Sequence, residues 1–211
     1  MSTDGCSALP RCPIYLVRHG ETTWNREGRM QGQLDAPLTA RGLAQARGAG
    51  RLLRRLLSPD AARMIMSPLG RARRSADLIL ESLAERVPDI RTDARLKEIS
   101  WGAFEGMTSA EIAVAAPDLW RGGALERWSV PPPGGESFRM LSERVRPVLE
   151  ELLQDDHGPV VVVAHGGVRR ALRGLYGGLE PAAVLALEEP HDVIIRLQAG
   201  AATVFTIEEN R

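Results

Sequence analysis

The sequence predicts an α/β fold of three layers, with helices on both faces of a mostly parallel central sheet. Short apolar runs such as 14–17 and 160–163 are typical of buried strands, and they alternate with longer helical patterns. Each of these two runs is soon followed by a His-Gly pair, at His19 and at His165. Because ligands usually bind at the carboxyl ends of strands in such sheets, we expect one site assembled from two parts of the chain.

Length, charge and cysteine usage narrow the class of protein. The 211 residues suit one domain, and we expect a flexible N-terminal tail over 1–12 before a single domain over 13–211. A formal net charge of zero offers no bulk attraction to nucleic acid or to an acidic membrane, and no apolar stretch is long enough to span a bilayer. Cys6 and Cys12 match no metal or redox spacing, so we expect free thiols and a cytoplasmic protein.

A polar, glycine-containing segment, 21–32, follows the first strand and predicts a loop that lines a polar pocket. Its amides Asn25 and Gln31 could donate hydrogen bonds to an oxyanion, although ordinary loop capping would explain them as well. A helix is then expected from an N-cap at Thr39 to about Leu57, because leucine, alanine and glycine recur there at helical spacing.

The next strand and helix present an arginine. Residues 63–66 predict a strand, and a helix follows to about Val87 with Arg71 in its first turn. The free N–H groups of a helix N-terminus attract anions, so an anion there would meet both the helix dipole and a guanidinium. Without further motifs, Arg71 could equally be one surface arginine among several.

A short strand near 90–92 leads into a loop, 96–106, that is rich in glycine and aromatic residues. The loop contains two carboxylates, Glu98 and Glu105, and either has the chemistry of a general acid. A capping box at 108–111 then predicts a short helix.

The segment 117–135 is too irregular for a long element. It contains Trp120, Trp128 and three consecutive prolines, with Pro133 the last of them. It could form a lid or pocket wall, or it could simply pack onto the core as an insertion.

The last third of the chain continues the strand and helix pattern. His157 and His191 match no motif, and we interpret them as structural or exposed. Further elements are expected as helices over 138–154 and 168–176, and as short strands near 184–187, 192–197 and 203–207, in addition to the 160–163 strand.

These elements bring together side chains suited to a phosphoryl group. Two histidines, two arginines, a carboxylate and amides form the candidate site: His19, His165, Arg18, Arg71, Glu98, Asn25 and Gln31. A phosphoryl group spreads negative charge over its equatorial oxygens, and arginine is better suited than lysine to bind it through two hydrogen bonds. No convincing metal-ligand set accompanies these residues.

The motifs resemble those of the histidine phosphatase superfamily, in its phosphoglycerate-mutase-like branch. The similar segments are Arg18-His19-Gly20-Glu21-Thr22 with the Asn25 loop, Ser67-Pro68-Leu69-Gly70-Arg71-Ala72, Leu96-x-Glu98 with Gly102 and Gly106, Gly135-Glu136-Ser137, and Ala164-His165-Gly166-Gly167. They occur in the family's order, from about residue 13 to at least residue 170. Each motif is weak alone, and the set is specific.

The resemblance implies a mechanism that needs no metal or cofactor. His19 would attack phosphorus and form a phosphohistidine. Glu98 would protonate the leaving alcohol and then deprotonate the attacking water. The phosphoryl oxygens would be bound by Arg18, Asn25, Gln31, Arg71, His165 and Gly166.

The resemblance also implies choices within the superfamily. In the acid-phosphatase branch an Asp after the second histidine is the proton donor, whereas Gly166 follows His165 here, so Glu98 is the matching acid and Glu105 the fallback. Residues 99–106 resemble the short loop of the phosphatases rather than the long region of the mutases. We therefore expect hydrolysis of a small phosphomonoester, with phosphoglycerate mutase activity as the alternative.

An alternative from another class is a non-catalytic module that binds a phosphorylated ligand or a protein on the same fold. The presence of the complete set of motif residues argues against it. Many relatives are dimers, so a homodimer is kept as an option, although no apolar stripe in the sequence requires one. In relatives a small polar residue often lies where 189–192 reads Glu-Pro-His-Asp, which leaves the contacts there open.

Overall fold

The computed structural model describes residues 12–57, 62–83, 87, 89–117 and 128–208. Its strands are β1 (Ile14–Arg18), β2 (Arg63–Met66), β3 (Asp89–Thr92), β4 (Val160–Ala164), β5 (Val193–Gln198) and β6 (Ala201–Thr206). Its helices are α1 (Thr23–Glu27), α2 (Ala40–Leu56), α3 (Gly70–Leu80), α4 (Ser109–Ala115), α5 (Phe138–Gln154), α6 (Gly166–Tyr176) and α7 (Pro181–Ala186). The predicted tail lies almost wholly outside these residues, so its flexibility stays a prediction.

The six strands form one sheet in the order β3-β2-β4-β1-β5-β6. The first four of these strands run parallel to one another. At the other end of the sheet β5 is antiparallel to β1, and β6 is antiparallel to β5. β1 and β4 pair in the register Arg18 to Ala164, so the residues that follow both strands leave the sheet side by side. The backbone pairing continues one step further, where the His19 N–H donates to the Ala164 carbonyl (3.0 Å).

Helices cover both faces of the sheet, which confirms the predicted three-layer architecture. Along β1, Ile14 and Leu16 face a core formed with α5 and α6, whereas Tyr15 and Val17 face a second core formed with α2 and α3. Both faces are buried, and this explains why β1 and β4 are continuous apolar runs without polar alternation. Among the described helices, none is both long and apolar enough to cross a bilayer.

Side-chain capping starts several helices at the predicted residues. Thr39 caps α2 by accepting from the Gly42 N–H, and α5 spans the predicted residues behind its cap, Ser137. The strand expected over 184–187 is wrong, because Pro181 in the first turn opens a helix there instead. The helix after β2 ends at Leu80 rather than near Val87, and the 21–32 segment contains the short helix α1.

A close backbone approach joins the β1 turn to α2. A Cβ on Gly42 would lie 2.0 Å from the Glu21 carbonyl oxygen, and a Cβ on Gly20 would lie 2.1 Å from the Gly42 carbonyl oxygen. Neither neighbour is a flexible side chain, so a larger residue would push the turn that follows β1 away from α2.

We expect Gly42→Ala to lower the free energy of unfolding by about 3 kcal/mol, because the new methyl group meets backbone atoms that cannot move aside. Helix propensity alone predicts the opposite sign, a gain of up to about 1 kcal/mol. Urea denaturation measures the change, with Ala44→Gly on the exposed face of α2 as the control for propensity. Unchanged or increased stability of Gly42→Ala would contradict the close contact.

Candidate functional site

The ends of three parallel strands converge on two histidines. His19 follows β1 and His165 follows β4, and their ring centroids lie 5.2 Å apart. Both are buried, with 2% and 0% of their surface exposed. Ser67 follows β2, and its hydroxyl lies 2.7 Å from Nε2 of His165. The structure therefore brings the two predicted histidines into one site.

The hydrogen bonds of His19 assign its tautomer. Nδ1 lies 2.8 Å from the Gly20 carbonyl, which can only accept, so Nδ1 carries the proton. Nε2 is left with a lone pair and accepts from Nε of Arg71 at 3.3 Å. Burial, followed by the charges of His165, Arg71 and Arg18, holds the pKa of His19 well below its usual value. The imidazole is thus neutral at physiological pH, and Nε2 is its nucleophilic nitrogen.

Nδ1 of His165 has no hydrogen-bond partner among the described residues. Ser67 Oγ accepts from the Leu69 N–H and can also donate its own proton to Nε2 of His165, the arrangement that places the ring proton on Nδ1. Nδ1 then carries the proton, and among the described residues it is buried with no hydrogen-bond partner. Burial, followed by the charges of Arg71 and Arg18, holds the pKa of His165 well below its usual value. His165 can therefore donate from Nδ1 as a neutral imidazole.

Arg71 is oriented by a carboxylate that the sequence analysis missed. Its Nη1 donates to Asp35 (2.9 Å) and to the Leu34 carbonyl, and its Nη2 donates to the Gly32 carbonyl (2.7 Å). Asp35 also accepts from the backbone N–H groups of Gly70 and Arg71, and so caps α3. No local signal in the sequence links Asp35 to a helix that begins 35 residues later.

Arg18 is half-buried beside the first turn of α6. Its Nη1 donates to the Glu189 carbonyl, and its Nε is buried without a partner in the part of the chain described. Burial lowers the pKa of Arg18 to about 10, so the guanidinium remains charged at neutral pH. A Cβ on Gly166 would lie 3.3 Å from Nε of Arg18, so the glycine leaves room for this side chain.

Of the two candidate acids, Glu98 faces the cavity. Its carboxylate accepts from the Gly167 N–H (3.1 Å) at the start of α6 and from the Ile99 N–H (2.9 Å). Glu105 instead holds its own loop together, since its Oε1 accepts from the Gln33 N–H, the Trp101 N–H and the Ser100 hydroxyl.

The Glu98 loop rests on an ion pair, Arg144 with Glu136. Arg144 donates to the carboxylate of Glu136 and to the Lys97 and Glu98 carbonyls. Glu136 accepts in turn from the Ser100 N–H. The sequence indicated Glu136 only as part of a motif and gave no signal for Arg144. The Lys97 and Glu98 carbonyls that Arg144 supports lie 47 and 46 residues away from it.

A cavity of about 130 Å³ lies beside His19. Asn25 uses Oδ1 to cap α1 at Thr22, which leaves its NH₂ group for a ligand. Oε1 of Gln31 is buried and has no partner among the residues described. The cavity is lined by Arg18, His19, Asn25, Arg29, Met30, Gln31, Gly32, Arg71, Glu98 and Trp101.

The other tryptophans and histidines have different outcomes. Trp128 packs against the core, and Trp120 lies outside the described residues with the rest of 118–127, so the predicted lid stays a prediction. His157 is exposed as expected. His191 is structural, one of the two roles expected for it, and it lies next to the site: its Nδ1 is 2.8 Å from the His19 carbonyl and its ring centroid 5.5 Å from that of His19.

A group of possible metal ligands lies away from the cavity. Within the described ranges, Asp155, Asp156 and His157 bring one ligand atom each within 4.8 Å of the others. They precede β4 and so lie at the opposite edge of the sheet from His165. Asp155 is already paired with Arg63, and exposed acidic groups of this kind are common without an ion.

The chain belongs to the histidine phosphatase superfamily, branch 1, whose family model matches residues 14–206. Its relatives include the probable phosphoglycerate mutase GpmB of Salmonella paratyphi C, 39% identical over 155 residues, or 72% of this chain and 69% of that protein. The chain is therefore a phosphatase- or mutase-type enzyme by family, as the motifs predicted.

Solved structures with the same fold carry phosphatase names. A mycobacterial glucosyl-3-phosphoglycerate phosphatase in complex with VO3 matches with a TM-score of 0.75 and 32% identity, covering 88% of this chain and 90% of its own. The alpha-ribazole phosphatase of Shigella flexneri matches with a TM-score of 0.78 and 25% identity, covering 92% and 95%.

We expect Asp35→Ala to weaken the binding of inorganic phosphate roughly tenfold, since a charge-assisted contact that orients Arg71 is lost. Isothermal titration calorimetry measures the affinity. Asp93→Ala is the matched control, because Asp93 also caps a short helix and pairs with an arginine, Arg95, but lies outside the cavity. Equal affinities for both variants would contradict the role of Asp35.

Three histidines with lowered pKa values predict acid sensitivity. Burial lowers the pKa of His19, His165 and His191, that of His191 to about 3, so the unfolded state binds their protons first as pH falls below 6.5. Stability is then full above 6.5 and is lost below it, by slightly more than 1 kcal/mol per histidine, on the order of one factor of ten in the folding equilibrium, between pH 7.5 and 5.5. Urea denaturation should show a loss of about 4 kcal/mol, reduced by about a third in His191→Asn. Equal stability at both pH values would contradict the neutral, buried histidines.

Proposed function

We propose that this enzyme is a phosphatase that hydrolyses small phosphomonoesters through a phosphohistidine on His19. The observation that carries the proposal is the tautomer of His19: a buried, neutral imidazole with its lone pair on Nε2, in a residue that lines a cavity together with Arg18 and Arg71. An unprotonated nitrogen is what attack on phosphorus requires.

In the first step Nε2 of His19 attacks phosphorus, and the bond from phosphorus to the leaving oxygen breaks. In the free enzyme the Nε–H of Arg71 donates to Nε2, and as that lone pair bonds to phosphorus the same N–H donates to a phosphoryl oxygen instead, with its proton staying on Arg71. The buried Nε of Arg18 and Nδ1 of His165, which have no hydrogen-bond partner among the described residues, are further donors for these oxygens. Preorganised donors of this kind stabilise the charge that spreads over the equatorial oxygens.

Glu98 completes both steps as acid and then base. In its protonated form it donates to the leaving oxygen and releases the alcohol. The resulting carboxylate takes a proton from water, the hydroxyl oxygen attacks phosphorus, and the P–N bond breaks to release inorganic phosphate. The Gly167 and Ile99 N–H groups hold the carboxylate in position for this exchange.

The short loop after Glu98 supports a phosphatase over a mutase. Residues Gly102–Phe104 form a single 3₁₀ turn, and Ala103 N–H donates to the Pro133 carbonyl. Mutase activity remains the second candidate because the GpmB relative is named a probable phosphoglycerate mutase. A small phosphorylated molecule is the substrate on either account, while a cytoplasmic location, a homodimer and independence from metal and cofactor remain predictions.

The test is phosphate release, without added metal, from a panel of small phosphomonoesters that includes 3-phosphoglycerate. We expect the parent to release phosphate and His19→Ala to be slower by at least about 10³-fold, because the nucleophile is gone. His157→Ala, on the far edge of the sheet, should match the parent. Isomerisation of 3-phosphoglycerate without net release would identify a mutase, and no reaction from folded parent protein would favour a binding module.

A further inference from the structure

The loop between α7 and β5, residues 187–192, contacts both members of the Arg18-His19 pair. The Glu189 carbonyl accepts from Nη1 of Arg18, and Nδ1 of His191 donates to the His19 carbonyl at 2.8 Å. The carbonyl can only accept, so Nδ1 of His191 carries the proton. The loop therefore contacts the strand end that presents the nucleophile, although it does not line the cavity.

Three arginines on α6 hold this loop in place, and one of them, Arg170, donates through Nε to the Leu187 carbonyl at 3.0 Å. Arg169, which is 1% exposed, donates to the Glu189 carboxylate and to the Pro190 and Val193 carbonyls at 2.7 and 3.0 Å. Arg173 donates to the other carboxylate oxygen of Glu189 at 2.6 Å. These hydrogen bonds tie the loop to the helix that follows His165 and so fix its position relative to the site.

The contact from His191 completes the support of one peptide group. The peptide that joins His19 to Gly20 donates its N–H to Ser75 Oγ (3.1 Å) and accepts from His191 at its carbonyl. Without a side chain, Gly20 would otherwise let this peptide rotate. The Gly20 carbonyl, which holds the proton on Nδ1 of His19, belongs to the next peptide, so a rotation about the N–Cα bond of Gly20 would change its position relative to the His19 ring.

The charge state of His191 does not limit this role. Burial and then Arg18 lower the pKa of His191 to about 3, with Arg169 and Arg41 acting in the same direction. The imidazole is therefore neutral throughout the physiological range, and Nδ1 keeps its proton for the His19 carbonyl at every pH in that range.

We propose that His191 is a positioning residue for His19: its hydrogen bond fixes the His19-Gly20 peptide and so the orientation and tautomer of the nucleophile. This rests on the proposed function of His19. The clamp formed by the 187–192 loop acts through the backbone, since the cavity lining does not include His191.

The test compares two substitutions of His191. His191→Leu removes the donor, whereas the Nδ2 of His191→Asn lies the same number of bonds from Cβ as Nδ1 and can restore it. We expect kcat of His191→Leu to fall about 10- to 100-fold with KM within about twofold, because a small misplacement of a reacting group carries a cost of this order. We expect His191→Asn to recover to within about threefold, and His157→Leu to match the parent.

A second readout does not depend on finding a substrate. Nitrogen NMR of the histidine rings should show a protonated Nδ1 and an unprotonated Nε2 for His19 in the parent and in His191→Asn. In His191→Leu the two nitrogens should move toward averaged shifts. If His191→Leu does not fold, His191→Met, with an unbranched side chain, replaces it in both measurements.

The outcomes separate the two proposals. A parent without activity on any phosphoester would count against the phosphatase, while the NMR comparison would still decide the role of His191. Leucine and parent proteins with equal kcat and equal His19 shifts would overturn the positioning role. An equal loss in the leucine and asparagine variants would also overturn it, since the hydrogen bond would then not be what matters.

Discussion

The parallel pairing of β1 with β4 is the constraint on which the site depends. With Arg18 opposite Ala164, the next residue of each strand is a histidine, and both rings leave the sheet on the same edge. A slip of one residue would turn the side chains of one strand to the opposite face and would separate the rings. Because both faces of these strands are buried under helices, the apolar cores on each side hold the register.

The site concentrates positive charge in a largely buried place, and neighbouring carboxylates stabilise that charge. Arg71 is paired with Asp35, while Glu98 and Glu189 both favour the charged form of Arg18. The histidines respond differently, since burial among cations keeps both of them neutral. An anion entering the cavity would meet charged guanidinium groups and donors that have no partner in the described part of the chain, while the imidazole that must attack it stays neutral.

Local signals predicted most of the fold and those site residues that belong to contiguous motifs. The N-cap at Thr39, the Thr108 capping box and the helical pattern over 138–154 gave helix starts that the structure confirms. The strand predicted over 184–187 is wrong because a short apolar run suits a strand or a helix equally well. Pro181, three residues before the run, favours the start of a helix.

Residues that support the site through distant contacts could not be predicted in this way. Asp35 acts on a helix that begins 35 residues later, Arg144 supports carbonyls about 46 residues earlier, and His191 contacts a carbonyl 172 residues earlier. Their roles depend on how loops and helices meet across the sheet edge. These long-range contacts cannot be predicted from a single sequence, because no residue spacing or hydrophobic period indicates them.

The central claim is that Nε2 of His19 forms a bond to phosphorus. Rapid quenching of the enzyme with a ³²P-labelled phosphomonoester, followed by peptide mapping and NMR of the trapped phosphoenzyme, tests this bond directly. The account predicts one label per chain, on Nε2 of His19, formed and lost fast enough to lie on the path to phosphate release. A label on His165, on Nδ1 of His19 or on a carboxylate, or turnover without any labelled intermediate, would contradict it.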